Sequence, residues 1–197
     1  MSQKEIRIAC FGASNTWGYD PRSYLGDRYP PEGRWPEVLS SLSGWTVLNW
    51  GENGREIPHS PVEFELLDGQ IRDSWPLDLL IIDLGTNDLM RMYPPSAERT
   101  AERMEVLLQH VQEAHPTLPL LLIAPGPMNI PDDRLMDCSR ELGHCYEAAA
   151  RKMGTDFLDS SILNLDLSYD GIHLSEAGHR SLAEAVFRKL SSRFPKC

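Results

Sequence analysis

Apolar positions recur along this chain in two rhythms, one alternating or unbroken and one of helical period. Residues 6 to 11, Ile-Arg-Ile-Ala-Cys-Phe, alternate and stop at Gly12, which predicts a first strand with Ser14 on the turn beyond its carboxyl end. Tyr19-Asp-Pro-Arg and Tyr29-Pro-Pro-Glu-Gly then read as loop, and residues 35 to 42 open a short helix with Pro36 near its first turn. A second strand is expected at 46 to 50. The nearly continuous apolar run Leu79-Leu-Ile-Ile-Asp-Leu84 predicts a central strand covered on both faces, ending at Gly85-Thr-Asn-Asp88.

From 96 to 115 the rhythm is helical: Met104, Leu107, Leu108, Val111 and Ala114 recur behind a Ser96 cap and an acidic first turn. A fourth strand is predicted at 120 to 124, a helix from about 134 to 153, and a short strand at 155 to 158. A last helix follows, capped by Ser175, with Leu182, Val186 and Leu190 on one face. The segments 17 to 35, 52 to 70 and 126 to 134 read as loops.

This alternation of strand and helix predicts an α/β fold: an open, mostly parallel sheet with helices on both sides. Ligand sites in such sheets lie outside the carboxyl ends of the strands. Ser14 follows strand one, Gly51 strand two, Asn87 strand three, and the loop holding Asp170 and His173 follows strand five. Four elements far apart in sequence are therefore delivered to one edge.

A length of 197 residues suits one well-filled core, so residues 1 to 197 are read as a single domain. Apolar residues make up 41% and charged ones 24%, the balance of an ordinary soluble protein. No apolar run approaches the roughly 20 residues that span a bilayer, and Met1 to Arg7 is polar. Membrane insertion is not expected, and a cytoplasmic location is. The formal charge of −10 would repel a phosphate backbone, which excludes nucleic acid as an expected partner. Cys10, Cys138, Cys145 and Cys197 have no zinc-like spacing. Cys138 and Cys145 lie two helical turns apart and are expected against a core, and Cys197 is expected to be exposed.

Against this frame the run Asp170-Gly-Ile-His173 gains meaning, because a carboxylate that orients an imidazole makes a general base. Gly171 lets the backbone fold tightly enough for the two side chains to meet. A serine hydroxyl needs such a base to become a nucleophile, and Ser14 stands on the same side of the sheet. Acyl transfer also needs donors aimed at an oxyanion. Asn87 offers a side-chain amide, and Gly51 a backbone N–H that can be approached closely. Each residue alone has a blander reading, as turn, cap or positive-φ glycine; the convergence of all of them favours chemistry.

These residues give the chain a resemblance to the SGNH hydrolase superfamily, also called GDSL esterases and lipases. The Ser, Gly, Asn and His of that name appear here in order as Ser14, Gly51, Asn87 and His173, in blocks spanning residues 8 to 179. Gly85-Thr-Asn-Asp88 and Asp170-Gly-Ile-His173 match the third and fifth blocks, and Asn49-Trp-Gly-Glu-Asn-Gly54 is similar to the second. The resemblance implies a flavodoxin-like three-layer α/β/α fold on a five-stranded parallel sheet. It implies a catalytic triad of Ser14, His173 and Asp170, an oxyanion hole from the Ser14 N–H, the Gly51 N–H and the Asn87 amide, and no metal or organic cofactor. The segment Ser14-Asn-Thr-Trp-Gly-Tyr-Asp20, with Arg34-Trp35 and Leu77-Asp-Leu79, is similar to the small arylesterase branch, whose members take short acyl esters and in some cases form oligomers. A homo-oligomer is compatible with that likeness. One departure stands out: the family's Gly-Asp-Ser is Gly12-Ala13-Ser14 here. The methyl side chain of Ala13 cannot hydrogen-bond neighbouring backbone, so support of the nucleophile turn and the field at the oxyanion hole must come from elsewhere, and activity is expected to be retained or reduced.

The expected function is that of a serine esterase hydrolysing short-chain, acetyl-like esters through an acyl-enzyme on Ser14, with a small-molecule ester as partner. The competing reading is a catalytically impaired carbohydrate- or lipid-binding module on the same fold. A flavodoxin-like nucleotide protein is disfavoured, because the first turn has no glycine-rich phosphate loop. Trp17 is a candidate for the substrate pocket, with Tyr19, Trp35 and Trp50 behind it. Asp83 interrupts an apolar strand and reads equally as functional or as a buried carboxylate bonded to backbone. His59, His110, His115, His144 and His179 show no partner spacing, and His179 is expected to be a surface or packing residue.

Overall fold

The computed structural model describes residues 5 to 194. Five parallel strands, β1 (Arg7–Gly12), β2 (Thr46–Gly51), β3 (Leu79–Asp83), β4 (Leu120–Ala124) and β5 (Asp156–Asp159), form one sheet in the order β2-β1-β3-β4-β5. The helices are α1 (Ser14–Trp17), α2 (Trp35–Ser43), α3 (Pro61–Asp73), α4 (Thr86–Arg91), α5 (Ala97–Ala114), α6 (Asp133–Met153) and α7 (Glu176–Leu190).

Side chains alternate across a strand, so each buried strand feeds two cores. Ile8 and Cys10 of β1, Leu79 and Ile81 of β3, and Leu121 and Ile123 of β4 face Trp35, Val38 and Leu39 of α2 and Leu182, Val186 and Leu190 of α7. Their neighbours Ala9, Phe11, Leu80, Ile82, Leu120 and Leu122 face α3, α5 and α6 through residues such as Leu67, Ile71, Met104, Leu107, Leu142 and Tyr146. The near-continuous apolar runs of β3 and β4 follow from this double coverage. Cys138 and Cys145 pack half-buried against the second of these cores. Cys197 and the first residues of the polar N-terminus lie outside the described residues.

The expected helices and strands are present within a residue or two of their anticipated ends. Ser96 and Ser175 cap α5 and α7, accepting from the N–H groups of Arg99 and Gly178. Three helices were not expected. Segment 52 to 70, read as loop, holds most of α3, which starts at Pro61 behind a capping box in which Ser60 and Glu63 bond each other's backbone N–H. Its apolar stripe is weak: Leu67 and Ile71 are buried while Val62 and Leu66 are exposed. The short α1 and α4 carry the turns after β1 and β3 and are too brief to show a period.

Order in the sheet reverses between β1 and β3: the chain moves outward from β1 to β2, then returns to lay β3 on the other side of β1. The carboxyl ends of β1 and β3 flank this switch point, where neither connection covers the crevice. Ser14 and Asn87 lie in the first turns of the two short helices that leave it. No described helix is long and apolar enough to cross a membrane.

Candidate active site

Ser14 is the first residue of α1, so its N–H has no acceptor inside the helix. Its Oγ lies 3.0 Å from His173 Nε2, and His173 Nδ1 lies 2.5 Å from Asp170 Oδ2. The other carboxylate oxygen, Asp170 Oδ1, accepts from the backbone N–H of Ile172 at 3.1 Å and of His173 at 3.0 Å. Burial alone would raise the Asp170 carboxyl, but the imidazole and the two N–H bonds outweigh it and hold the group below its ordinary value. Gly171 sits at φ +69°, and a Cβ there would fall 1.8 Å from the carbonyl oxygen of Asn129. The turn joining Asp170 to His173 therefore requires glycine. Tyr19 packs its ring on the imidazole with centroids 4.7 Å apart.

The amide donors have partners of their own. Asn87 Nδ2 donates to the Arg55 carbonyl at 2.9 Å, which fixes the amide plane and leaves its second hydrogen to point elsewhere. The Gly51 N–H donates to Asn49 Oδ1 at 2.9 Å. Gly51 is not in a positive-φ turn, contrary to its blander reading. Its role is close approach: a Cβ would lie 2.0 Å from Trp17 N, so only glycine lets the backbone of α1 rest on the end of β2.

Several contributors were not anticipated from sequence. Asn15 grips the loop that carries His173, its Oδ1 accepting from the Leu174 N–H at 2.9 Å and its Nδ2 donating to the Ile172 carbonyl at 3.4 Å. Arg55 staples strand ends by donating to the carbonyls of Gly12 and Trp50, with its guanidinium 4.3 Å over the Phe11 ring. Asp88 is fully buried and accepts from Ile57 N–H and Arg103 Nη1, tying α4 to the β2–α3 loop and to α5. The places of Asn15 beside Ser14 and of Asp88 at the end of the Gly85-Thr-Asn-Asp88 block were the available sequence signals; nothing local distinguishes Arg55.

Asp83 is buried at the end of β3 and bonds a side chain, not backbone: Thr16 Oγ1 donates to its Oδ2 at 3.0 Å. Burial pushes its carboxyl up to about 6, against the opposing pull of the Thr16 hydroxyl. Trp17 is half-buried beneath the Arg28 guanidinium, 4.9 Å from the ring centroid. It lines neither a small cavity of about 20 Å³ at Ser14 nor a cleft of about 290 Å³ between Arg55 and α3. Trp35 and Trp50 pack the two cores. His179 is fully buried beside Tyr29, and burial lowers its pKa to about 3, so it packs as a neutral ring. His110 and His115 do have a partner: both bond Asp68 of α3, the helix hidden in the presumed loop. Among the described residues no group of three or more His, Cys, Asp or Glu could hold a metal ion.

No curated protein matches the chain. Among solved structures, the carbohydrate acetylesterase Est24 from Sinorhizobium meliloti is 27% identical with a TM-score of 0.85, over 96% of this chain and 100% of that one. The aryl esterase of M. smegmatis is 29% identical with a TM-score of 0.81, over 95% of this chain and 99% of that one. The model of the GDSL-like lipase/acylhydrolase family matches residues 10–181, a stretch that runs from β1 into α7 and takes in every strand end at the site. With that match and with esterases similar along nearly their whole length, the chain belongs to the GDSL-like lipase/acylhydrolase family and is a carboxylic ester hydrolase.

Proposed function

We propose that the protein hydrolyses short-chain, acetyl-like esters through an acyl-enzyme on Ser14. The observation that carries this reading is the continuous chain from Ser14 Oγ through His173 to Asp170, at 3.0 and 2.5 Å. His173 Nε2 takes the hydroxyl proton as Ser14 attacks the ester carbonyl, and Asp170 fixes the tautomer and steadies the imidazolium. The tetrahedral oxyanion is met by the Ser14 N–H and the second hydrogen of the Asn87 amide. Gly51 joins them by sharing or releasing its bond to Asn49. Collapse expels the alcohol with the proton from His173, and water then enters by the same base to release the acid.

A small acyl group is supported by the similarity to a carbohydrate acetylesterase and an aryl esterase. The larger cleft near the site is lined by Glu52, Glu56, Arg55 and Arg91 as well as Phe11 and Leu67, surroundings unsuited to a long alkyl chain. Ser14→Ala and His173→Ala should each abolish hydrolysis of p-nitrophenyl acetate with the melting temperature retained. Unchanged turnover in either removes the mechanism. A fluorophosphonate separates the esterase from a carbohydrate- or lipid-binding module: covalent labelling at Ser14 supports the first, and a folded protein that stays unlabelled supports the second.

A further inference from the structure

Asp83 takes no part in the mechanism just described, although it is buried within the elements that carry it. It pairs with Gly12 across β1 and β3, one residue from the nucleophile turn. Its partner Thr16 is fully buried on α1, in the same turn of helix as Ser14. Thr16 has little room to move, because a Cβ on Gly12 would come within 2.0 Å of its Oγ1. Ala13, Ser14, Asn15 and Asp83 all line the one cavity of about 20 Å³, about the space one water occupies. At position 13, where the resemblance would put a carboxylate, Ala13 offers only a methyl group packed against the apolar core.

We propose that Asp83 is a positioning residue for Ser14: acting through Thr16, it supplies from β3 the buried carboxylate that fixes the nucleophile helix and that position 13 lacks. An ionised carboxylate only accepts hydrogen bonds, so the Thr16 hydroxyl must donate to it. That bond sets the rotation of α1 about the end of β1, and with it the aim of Ser14 at His173. Burying a carboxylate here is unfavourable, and a residue kept only for packing would not carry one. The proposal rests on the reading of Ser14 as the nucleophile.

The test uses the full-length protein, p-nitrophenyl acetate turnover, fluorophosphonate labelling and melting temperature at pH 8. Asp83→Asn keeps the shape but brings an amide whose N–H₂ can compete for the cavity. We expect kcat and the labelling rate to fall about tenfold, less than the roughly 10² that a 1 Å misplacement can cost, with KM within about twofold. The melting temperature should rise, since a buried charge has been removed. Thr16→Val should slow turnover similarly, and the double variant should be no slower than either single one. Ala13→Asp added to Asp83→Asn should recover much of the lost rate.

Three results overturn the proposal: kcat of Asp83→Asn within twofold of the parent, kcat and melting temperature falling together in both single variants, or no recovery with Ala13→Asp. A parent protein that neither labels nor turns over would instead remove the esterase reading on which the proposal rests. The two failures are thus distinct.

Discussion

Asn15 and Leu174, 159 positions apart in sequence, are joined by a 2.9 Å bond from the Leu174 N–H to the Asn15 amide oxygen. The neighbour of Ser14 is thus bonded to the neighbour of His173, and the weaker contact to the Ile172 carbonyl closes the grip from the other side. The separation of Ser14 and His173 is held by these bonds from the Asn15 side chain to the backbone on both flanks of His173, not by their own hydrogen bond alone. Asn15→Ala should leave the buried Leu174 N–H unpaired, at a cost of about 1 to 3 kcal/mol in stability. We expect kcat to fall by about tenfold, a barrier change near 1.4 kcal/mol, while Asn15→Asp, which keeps the acceptor, recovers part of it. Steady-state kinetics beside chemical denaturation measures both.

Asp170 bonds the imidazole and two backbone N–H groups at once. Asp170→Asn preserves the shape but favours the wrong imidazole tautomer. A loss of about 10⁴-fold in kcat is expected, the size seen when the orienting carboxylate of a serine-protease triad becomes an amide. A loss smaller than tenfold would show that the tautomer is fixed by another group.

Gly51 should tolerate no side chain. In Gly51→Ala the Cβ would sit 2.0 Å from Trp17 N and 2.4 Å from Trp17 Cα, both backbone atoms that move only with the whole of α1. The expected result is a destabilisation of about 1 to 3 kcal/mol with activity reduced by at least about 10²-fold, since Ser14 moves with α1. Activity near the parent level in a folded Gly51→Ala protein would contradict this account.

Asp83 makes the pH dependence of stability run against the usual carboxylate pattern. Its carboxyl is raised from 3.8 in the reference state to about 6 in the folded protein. Between those values the folded chain keeps a proton that the unfolded chain has lost, so stability from this group falls as pH rises through the window. Cys10 and Tyr146, the titratable neighbours, stay neutral there because burial pushes both upward. Asp170, held low, acts in the opposite sense and loses its contribution as pH falls through its folded value. Asp83→Asn should therefore match the parent's melting temperature near pH 4 and exceed it at pH 8, by at most roughly 3 kcal/mol in stability. An equal difference at both pH values would contradict the assignment of this group.

Local pattern determined a good part of this protein. The alternation of Ile8, Cys10 and their neighbours, the unbroken runs at β3 and β4, and the helical period of α5 follow from nearby residues choosing between water and core. They were legible for that reason. The run Asp170 to His173 was legible too, because its two side chains are three residues apart on one glycine turn. Helix α3 was not, because its apolar stripe is broken and only the Ser60–Glu63 capping box marks its start. Its absence from the pattern also hid the bonds of Asp68 to His110 and His115.

What the tertiary structure decided is which groups share a space. The sheet order set the ends of β2, β1 and β3 side by side, so Asp83 reached Thr16 and Arg55 reached the carbonyls of Gly12 and Trp50, and the loop before α7 brought Leu174 to Asn15. Apart from the contact of Arg55 with Trp50, each of these bonds spans a separation in sequence that no local period encodes. Sequence alone offered Ser14, Gly51, Asn87, Asp170 and His173 as an expected set. Only the fold decided that the Gly51 N–H is given to Asn49, and that the carboxylate bonded to α1 comes from β3 instead of from position 13.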